Sequence, residues 1–229
     1  ERVFAKGSLL ATDFAAFRRG ERRFQPLFEP TETRSLAGIA LTRSHVLVNI
    51  LDNVKSRPQV MLLDGKTWSS KYLNFPLNAD VNLFAEDPDM SDDFFMTVTD
   101  FLTPTSLLTG TVGKREIAPL KRQAAHFKSD GLVVEQHEAA SKDGTKVPYF
   151  VVLRKDRARD GTIPTLLYGY GGFEVSQTPG YYASAGAGWL ERGGAFVLAN
   201  IRGGGEFGPK WHQAALKANR QRAYDDFIA

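Results

Sequence analysis

A few stretches of this sequence bring together residue types that can do chemistry. The first is Leu167-Tyr168-Gly169-Tyr170-Gly171-Gly172-Phe173. An apolar run entering paired glycines can present backbone and side chains at the carboxyl edge of a parallel sheet, where ligands bind. A tyrosine hydroxyl at such an edge can donate to the negative charge that develops on a tetrahedral intermediate. The plainer reading makes Tyr168 and Tyr170 aromatics on the rim of a core, and spacing alone leaves both open.

The second stretch, Gly203-Gly204-Gly205-Glu206-Phe207-Gly208, is a literal G-x-G-x-x-G after an apolar run. Such a loop can bring backbone N–H groups and a helix N-terminus to a pyrophosphate. Pro209 suits the first helical turn, where its missing N–H does no harm. A dinucleotide site also wants an acidic residue at the end of a second strand, about 20 positions on. Asp225 and Asp226 fall instead inside the expected helix, and Gly110-Thr-Val-Gly-Lys114 lacks the rest of a phosphate loop. A tight strand-to-helix crossover is the favoured reading, with a dinucleotide-binding domain kept as an alternative.

A serine nucleophile needs a sharp strand-to-helix elbow of the form G-x-S-x-G. The nearest match, Tyr182-Ala-Ser184-Ala-Gly186, has tyrosine for the first glycine and lies in a helical stretch, so Ser184 reads as a helix residue. Trp211-His212 reads as a packing tryptophan beside a surface or capping histidine, and Asp225-Asp226 as a solvated or helix-anchoring pair. The four histidines, His45, His126, His137 and His212, lack metal-ligand spacing, and the absence of cysteine excludes disulfides, thiolate sites and a cysteine nucleophile. No metal or cofactor is expected.

The elements that must position these residues change character near residue 130. Short apolar runs separated by turn signals give expected strands at Ala37–Thr42, His45–Leu51, Gln59–Leu63, Val81–Ala85, Phe94–Thr99, Ser106–Leu108 and Gly110–Val112. Asn53, Asp64-Gly65, Asn78 to Asp80 and Asp87-Pro88 punctuate them, as in a β-meander of a sandwich or propeller. Phe14 to Glu32 is charged and expected to be loop-rich. Farther on, Leu132–Ala139 and Val147–Leu153 form a hairpin around Asp143-Gly144. Then come a strand at Ile163–Tyr168, a helix at Tyr181–Glu191 closed by Gly193-Gly194, a strand at Ala195–Ile201 and a long helix from about Pro209. Strand, helix, strand, helix reads as βαβα with a parallel sheet buried on both faces.

Composition agrees with a globular protein: 42% of the 229 residues are hydrophobic and 24% charged. A net charge of +3 carries no argument for nucleic acid, and no run of eighteen apolar residues offers a transmembrane helix. A soluble protein, cytoplasmic or periplasmic, is expected. The chain starts on Glu1 and stops within an amphipathic stretch carrying Tyr224, Phe227 and Ile228, which reads as a piece of a longer polypeptide.

From Asp130 onward the chain resembles the prolyl oligopeptidase family of serine peptidases. The matching stretches are Ser141-Lys-Asp-Gly-Thr-Lys-Val-Pro148, Pro164-Thr-Leu-Leu-Tyr-Gly-Tyr-Gly-Gly-Phe173, Trp189-Leu-Glu-Arg-Gly-Gly194 and Ala199-Asn-Ile-Arg-Gly-Gly-Gly-Glu-Phe-Gly208. Trp211-His212 and Asp225-Asp226-Phe227 continue in register, and Phe101-Leu-Thr-Pro-Thr105 resembles the family's segment near the end of its β-propeller. The resemblance implies an all-β segment that is part of a seven-bladed β-propeller, followed by the N-terminal part of an α/β-hydrolase domain. Residues 1–126 would be the C-terminal blades, and residues 127–229 the opening of the hydrolase domain, before its nucleophile elbow. Tyr170 would stabilise the oxyanion and Phe173 would line the substrate pocket. The family's Ser-Asp-His triad has no counterpart in these residues, so this segment is expected to be inactive alone. The full protein would cleave short peptides after proline. Expected partners are the rest of its own polypeptide and proline-containing peptides, not nucleic acid or membrane. A non-catalytic peptide-binding module is the alternative. Unaided, the segment is expected to leave Ile163–Tyr168 and Ala195–Ile201 uncovered.

Overall fold

The computed structural model describes residues 2–73 and 79–229, so the expected turn residue Asn78 lies outside the described residues. Near the start, β1 (Leu9–Ala11) and β2 (Gln25–Phe28) pair antiparallel around helix α1 (Phe14–Arg18). Asp13 caps that helix by accepting from the Ala16 N–H at 2.6 Å. The Phe14–Glu32 stretch is therefore more ordered than its charge suggests, because the Asp13 cap and the β1 partner are not visible as periodicity.

Two four-stranded antiparallel meanders follow. The first holds β3 (Arg34–Leu41), β4 (Val46–Asp52), β5 (Lys55–Asp64) and β6 (Thr67–Tyr72), in sequence order. The second holds β7 (Asp80–Ala85), β8 (Asp93–Thr99), β9 (Ser106–Thr111) and β10 (Ile117–Arg122). Leu47, Val60, Val81, Leu83, Phe94 and Met96 form one core between the two sheets. The outer strands β6 and β10 carry Trp68-Ser-Ser-Lys71 and Ala118-Pro-Leu-Lys121, too polar and exposed to alternate. They are held by their ladders, so no hydrophobic pattern announces them. The two runs expected at Ser106–Leu108 and Gly110–Val112 are one strand. Gly110 continues it without a side chain because the Phe94 ring lies 2.8 Å from where its Cβ would stand.

The last sheet has strand order β11-β12-β14-β13, with β11 (Leu132–Ala140), β12 (Lys146–Arg154), β13 (Thr165–Gly169) and β14 (Ala195–Ala199). Only β13 and β14 run parallel; β12 pairs antiparallel with both β11 and β14. The expected parallel sheet buried on both faces is thus a mixed sheet, because the β11–β12 hairpin adds to one side of the parallel pair. Of the two strands expected to lie uncovered, β14 is buried, and β13 is the exposed edge, with Leu166, Leu167 and Tyr168 each more than 40% accessible.

The β4–β5 turn joins the first meander to this mixed sheet. Asn53 and Val54 have φ of 48° and 68°, a two-residue hairpin turn with both residues left-handed. A β-branched residue there is strained. Val54 is nevertheless fully buried, in one core with Phe101, Phe127, Phe150, Phe196 and Leu198. Apolar burial of a valine, worth about 1.5–3 kcal/mol, offsets the strain. Gln136 Nε2 donates to the Asn53 carbonyl at 2.9 Å and closes the same contact.

Helix α2 (Ala183–Gly188) and a 3₁₀ turn at Leu190–Arg192 cross from β13 to β14 and stop at Gly193, with φ of 85°. Tyr181 stacks on Phe127 at 4.8 Å, and a Cβ on Gly186 would fall inside that Phe127 ring. Gly186 is therefore a packing glycine of α2, not the second glycine of a nucleophile elbow. Gly186→Ala is expected to cost about 1–3 kcal/mol by overpacking, read as a lowered denaturation midpoint of the full-length protein. The long helix expected from Pro209 is broken into α3 (Pro209–Gln213), a 3₁₀ turn at Lys217–Asn219 and α4 (Gln221–Ile228). The break falls where Leu216 is extended and Lys217 has φ of 52°. It lets Ala215 and Ala223, both fully buried, sit against Val147, Ala199 and Ile201.

Candidate active site

Parallel strands end on the same side, so the loops leaving β13 and β14 meet. Their glycines permit the meeting. Gly171 (φ 58°) lies against Ile201 and the Arg202 carbonyl, and Gly203 (φ 100°) against the Gly171 carbonyl. Gly205 lies as closely against the Glu174 carbonyl. No side chain fits at these positions, so the glycine clusters serve loop-to-loop packing. This is the tight-crossover reading of Gly203–Gly208. The Glu206 carboxyl, itself fully buried, fills the space beside Gly204.

Tyr170 and Phe173 stand on the first of these loops. The Tyr170 ring lies over Gly172 and is 41% exposed, and Phe173 is 86% exposed. Phe173 and Glu174 are consecutive left-handed residues with φ of 52° and 58°. Two such non-glycine residues store strain that the surroundings must hold. The Glu174 N–H donates to the Gly203 carbonyl at 3.2 Å, and the Val175 N–H to Gly172 at 3.0 Å. His212 Nδ1 lies 2.7 Å from the same Gly203 carbonyl and 3.0 Å from the Glu174 nitrogen. Arg220 donates to the Gly171 carbonyl and lies over the Tyr224 ring. His212, expected as a surface or capping residue, is a half-buried staple between the two loops.

Behind the loops are two buried polar groups. Arg202 forks onto Asp226, with Nη2 donating to Oδ1 at 2.6 Å and Nε to Oδ2 at 2.8 Å. Its Nη1 reaches Asp143 of the β11–β12 turn at 2.6 Å, and that guanidinium holds the Asp143 carboxyl well below the usual carboxylate range. Asp226 is thus the anchoring member of the Asp225-Asp226 pair. Glu206 forms the other group: its Oε1 accepts from the Gln177 N–H at 2.8 Å and from Asn200 Nδ2 at 3.3 Å. Burial pushes its carboxyl up to about 7 against those two hydrogen bonds.

Ser184 lies exposed on α2, away from any strand-to-helix turn. The histidines stay apart: His45 is 3.1 Å from Asp92, and His137 3.0 Å from Glu135. Among the described residues no three His, Asp or Glu side chains are grouped to hold a metal ion. Sequence reasoning brought Tyr170 and Phe173 to one loop but missed Asn200, Glu206 and Arg220 as its supports. The available signal was Glu206 itself, a charge inside an apolar, glycine-rich turn.

Comparison with known proteins gives the class of molecule first. The chain is 46% identical over 99% of its length to an uncharacterized peptidase of Sinorhizobium fredii, of which it covers 31%. It is 36% identical to the prolyl endopeptidase of Elizabethkingia meningoseptica over 60% of this chain and 19% of that one. The solved structure of a post-proline cleaving enzyme from Rickettsia typhi superposes with a TM-score of 0.85 at 33% identity, covering 97% of this chain and 33% of that one. The model described as the prolyl oligopeptidase family matches residues 181–229. The chain is thus similar to prolyl oligopeptidases along nearly its whole length, and its last 49 residues match that family's model. It spans about a third of the length of the curated relatives that it matches end to end, and its two antiparallel meanders fit a β-propeller segment.

Proposed function

We propose that this chain is the part of a serine endopeptidase that runs from the last blades of a β-propeller, residues 1–126, into the opening of an α/β-hydrolase domain, residues 127–229. The observation that carries this reading is an exposed tyrosine, Tyr170, on a strained loop at the carboxyl ends of two parallel strands. That is the place where an acyl-transfer enzyme of this architecture stabilises negative charge. In the complete polypeptide a serine hydroxyl attacks the substrate carbonyl, a histidine takes its proton, and an aspartate holds the histidine. These three come from the part of the polypeptide outside the 229 residues, which alone are inactive. Tyr170 donates its hydroxyl to the oxyanion. Phe173 offers an apolar face to the ring of a proline, which sets cleavage on the carboxyl side of that residue. The chemistry needs no cofactor. The rest of the polypeptide covers Leu166, Leu167 and Tyr168 of β13.

The test compares fluorogenic peptides carrying proline or arginine before the scissile bond, using the full-length gene product and the 229-residue segment. The full-length protein is expected to release fluorophore from the proline peptide at least tenfold faster, and the segment to release none. Preference for arginine overturns the proline assignment. Peptide binding without turnover by the full-length protein overturns the peptidase assignment in favour of a non-catalytic module.

A further inference from the structure

The geometry points to Glu206 as a positioning residue for this reaction, whose carboxyl pins the segment from Tyr170 to Gln177 onto the end of β14. The inference rests on the peptidase reading above. Gln177 lies four residues beyond Phe173 and is gripped at both of its main-chain polar groups by side chains. Its N–H donates to Glu206 Oε1 at 2.8 Å, and its carbonyl accepts from Asn200 Nδ2 at 2.6 Å. Asn200 Nδ2 also reaches Glu206 Oε1 at 3.3 Å, so Asn200, Glu206 and Gln177 close a ring. The carbonyl of Glu206 accepts from Ser35 Oγ of β3 at 2.8 Å, a buried bond to a residue 171 positions earlier. One residue thus ties the strained loop to β14 by its side chain and to the first meander by its backbone. A cavity of about 650 Å³ lies alongside, with Ser176 and Thr178 on one wall and Ser35, Asn49 and Asp80 on another.

Among the described residues no cation pairs with this carboxyl. Glu206 Oε2 is buried without a hydrogen-bond partner, as is Asn200 Oδ1. Apart from Asp80, which lines the same cavity and whose own carboxyl is pushed up by burial, the charged and titratable groups on the packed elements are turned elsewhere. Arg202 faces Asp143 and Asp226, His212 lies on the Gly203 carbonyl, and Glu174 is exposed. Arg34, next to Ser35, is 3.7 Å from Asp52, and Asp80 accepts from Thr178. Burial pushes the carboxyl up to about 7, so it is neutral in acid and ionises through neutral pH. An ionised carboxylate in this dry position favours opening toward water, which loosens Gln177 and the loop before it.

The experiment uses full-length enzyme in three forms: parent, Glu206→Gln and Glu206→Ala. Two readings are taken from pH 5.5 to 8.5: amide hydrogen exchange of residues 171–178, corrected for the intrinsic pH dependence of exchange, and kcat/KM on a proline peptide. The parent is expected to lose protection in this segment as pH rises through about 7, with KM rising in parallel. Glutamine keeps an acceptor for Gln177 without a charge, so its profile stays flat through that range. Alanine loses protection at every pH and raises KM about tenfold, the scale expected when a positioning contact is lost. A parent profile without the step, or an alanine variant as protected as the parent, overturns the inference. Exchange decides it even where the enzyme cleaves no proline peptide, an outcome that would sink the peptidase reading separately.

Discussion

Tyr170→Phe in the full-length polypeptide is expected to lower kcat by about 10²–10³ and to leave KM within a few-fold, the signature of a lost oxyanion donor. The side chain is suited to that role by what it does not do. Among the described residues its hydroxyl has no hydrogen-bond partner, whereas the Tyr181 hydroxyl accepts from the His126 N–H at 2.8 Å. The backbone beneath it is fixed by Gly171, whose carbonyl is held by Arg220. A donor pre-positioned in this way is worth most when charge appears on the substrate, and little to the ground state. Tyr168→Phe is the matched control: its ring is 42% exposed on β13, two residues before Tyr170. Steady-state kinetics of both variants on one proline peptide make the check. Equal losses at the two positions would mean that the loop has been disturbed, and no loss at Tyr170 would remove it from the chemistry.

The meanders were legible where alternation and turn chemistry coincided. Asp64-Gly65 and Asp143-Gly144 both mark hairpins, with Gly65 and Gly144 at φ of 58° and 83°. Asn53 was read as a turn residue, but its partner Val54 was not, because a valine at φ of 68° contradicts local preference. Burial against Phe101 and Phe150 overrides that preference, and tertiary contact is not written in a local window. The same reason hid β10, whose Pro119 and Lys121 look like loop until the β9 ladder is seen. The helix after Pro209 began where the proline placed it. Its break at Leu216 and Lys217 has no glycine or proline to announce it; packing of Ala215 and Ala223 onto Ile201 demands the bend.

The candidate site divides along the same line. Tyr170 and Phe173 stood out because aromatic residues between glycines at a strand end are chemically conspicuous. Their supports did not, because each acts across long sequence separations: Ser35 on Glu206, Arg220 on Gly171, and Arg202 on Asp143. The G-x-G-x-x-G pattern is backbone geometry here, as the tight-crossover reading expected. Its glycines admit Gly171 and Glu174 of a neighbouring loop and the carboxyl of Glu206. A spacing rule reports that something approaches the backbone closely and is silent on what does.

Asp226→Ala is expected to destabilise the full-length protein by about 3–5 kcal/mol, because it leaves the buried Arg202 guanidinium with only the half-exposed Asp143 as counter-charge. The side chains of Arg202 and Asp226 are 5% and 0% exposed, and the Arg202 backbone N–H also donates to Asp226 Oδ2 at 2.9 Å. Asp143 meets the same guanidinium at 2.6 Å but is 42% exposed, so Asp143→Ala should cost less than about 1 kcal/mol. The Arg202 cation depresses the Asp143 carboxyl, so its contribution is present above the ordinary carboxylate range. That contribution is lost as pH falls through the lowered value. Replacing both partners, Arg202→Met with Asp226→Leu, should recover most of the loss from Asp226→Ala, since no charge is then stranded. Denaturant unfolding of the four proteins at pH 7 makes the comparison. The pair stands one residue before Gly203, whose carbonyl receives the Glu174 N–H, so the stranded charge should also raise KM by loosening the Phe173 loop. If Asp226→Ala proves as mild as Asp143→Ala, water reaches Arg202 in the complete enzyme, and the buried pair does not anchor the loop.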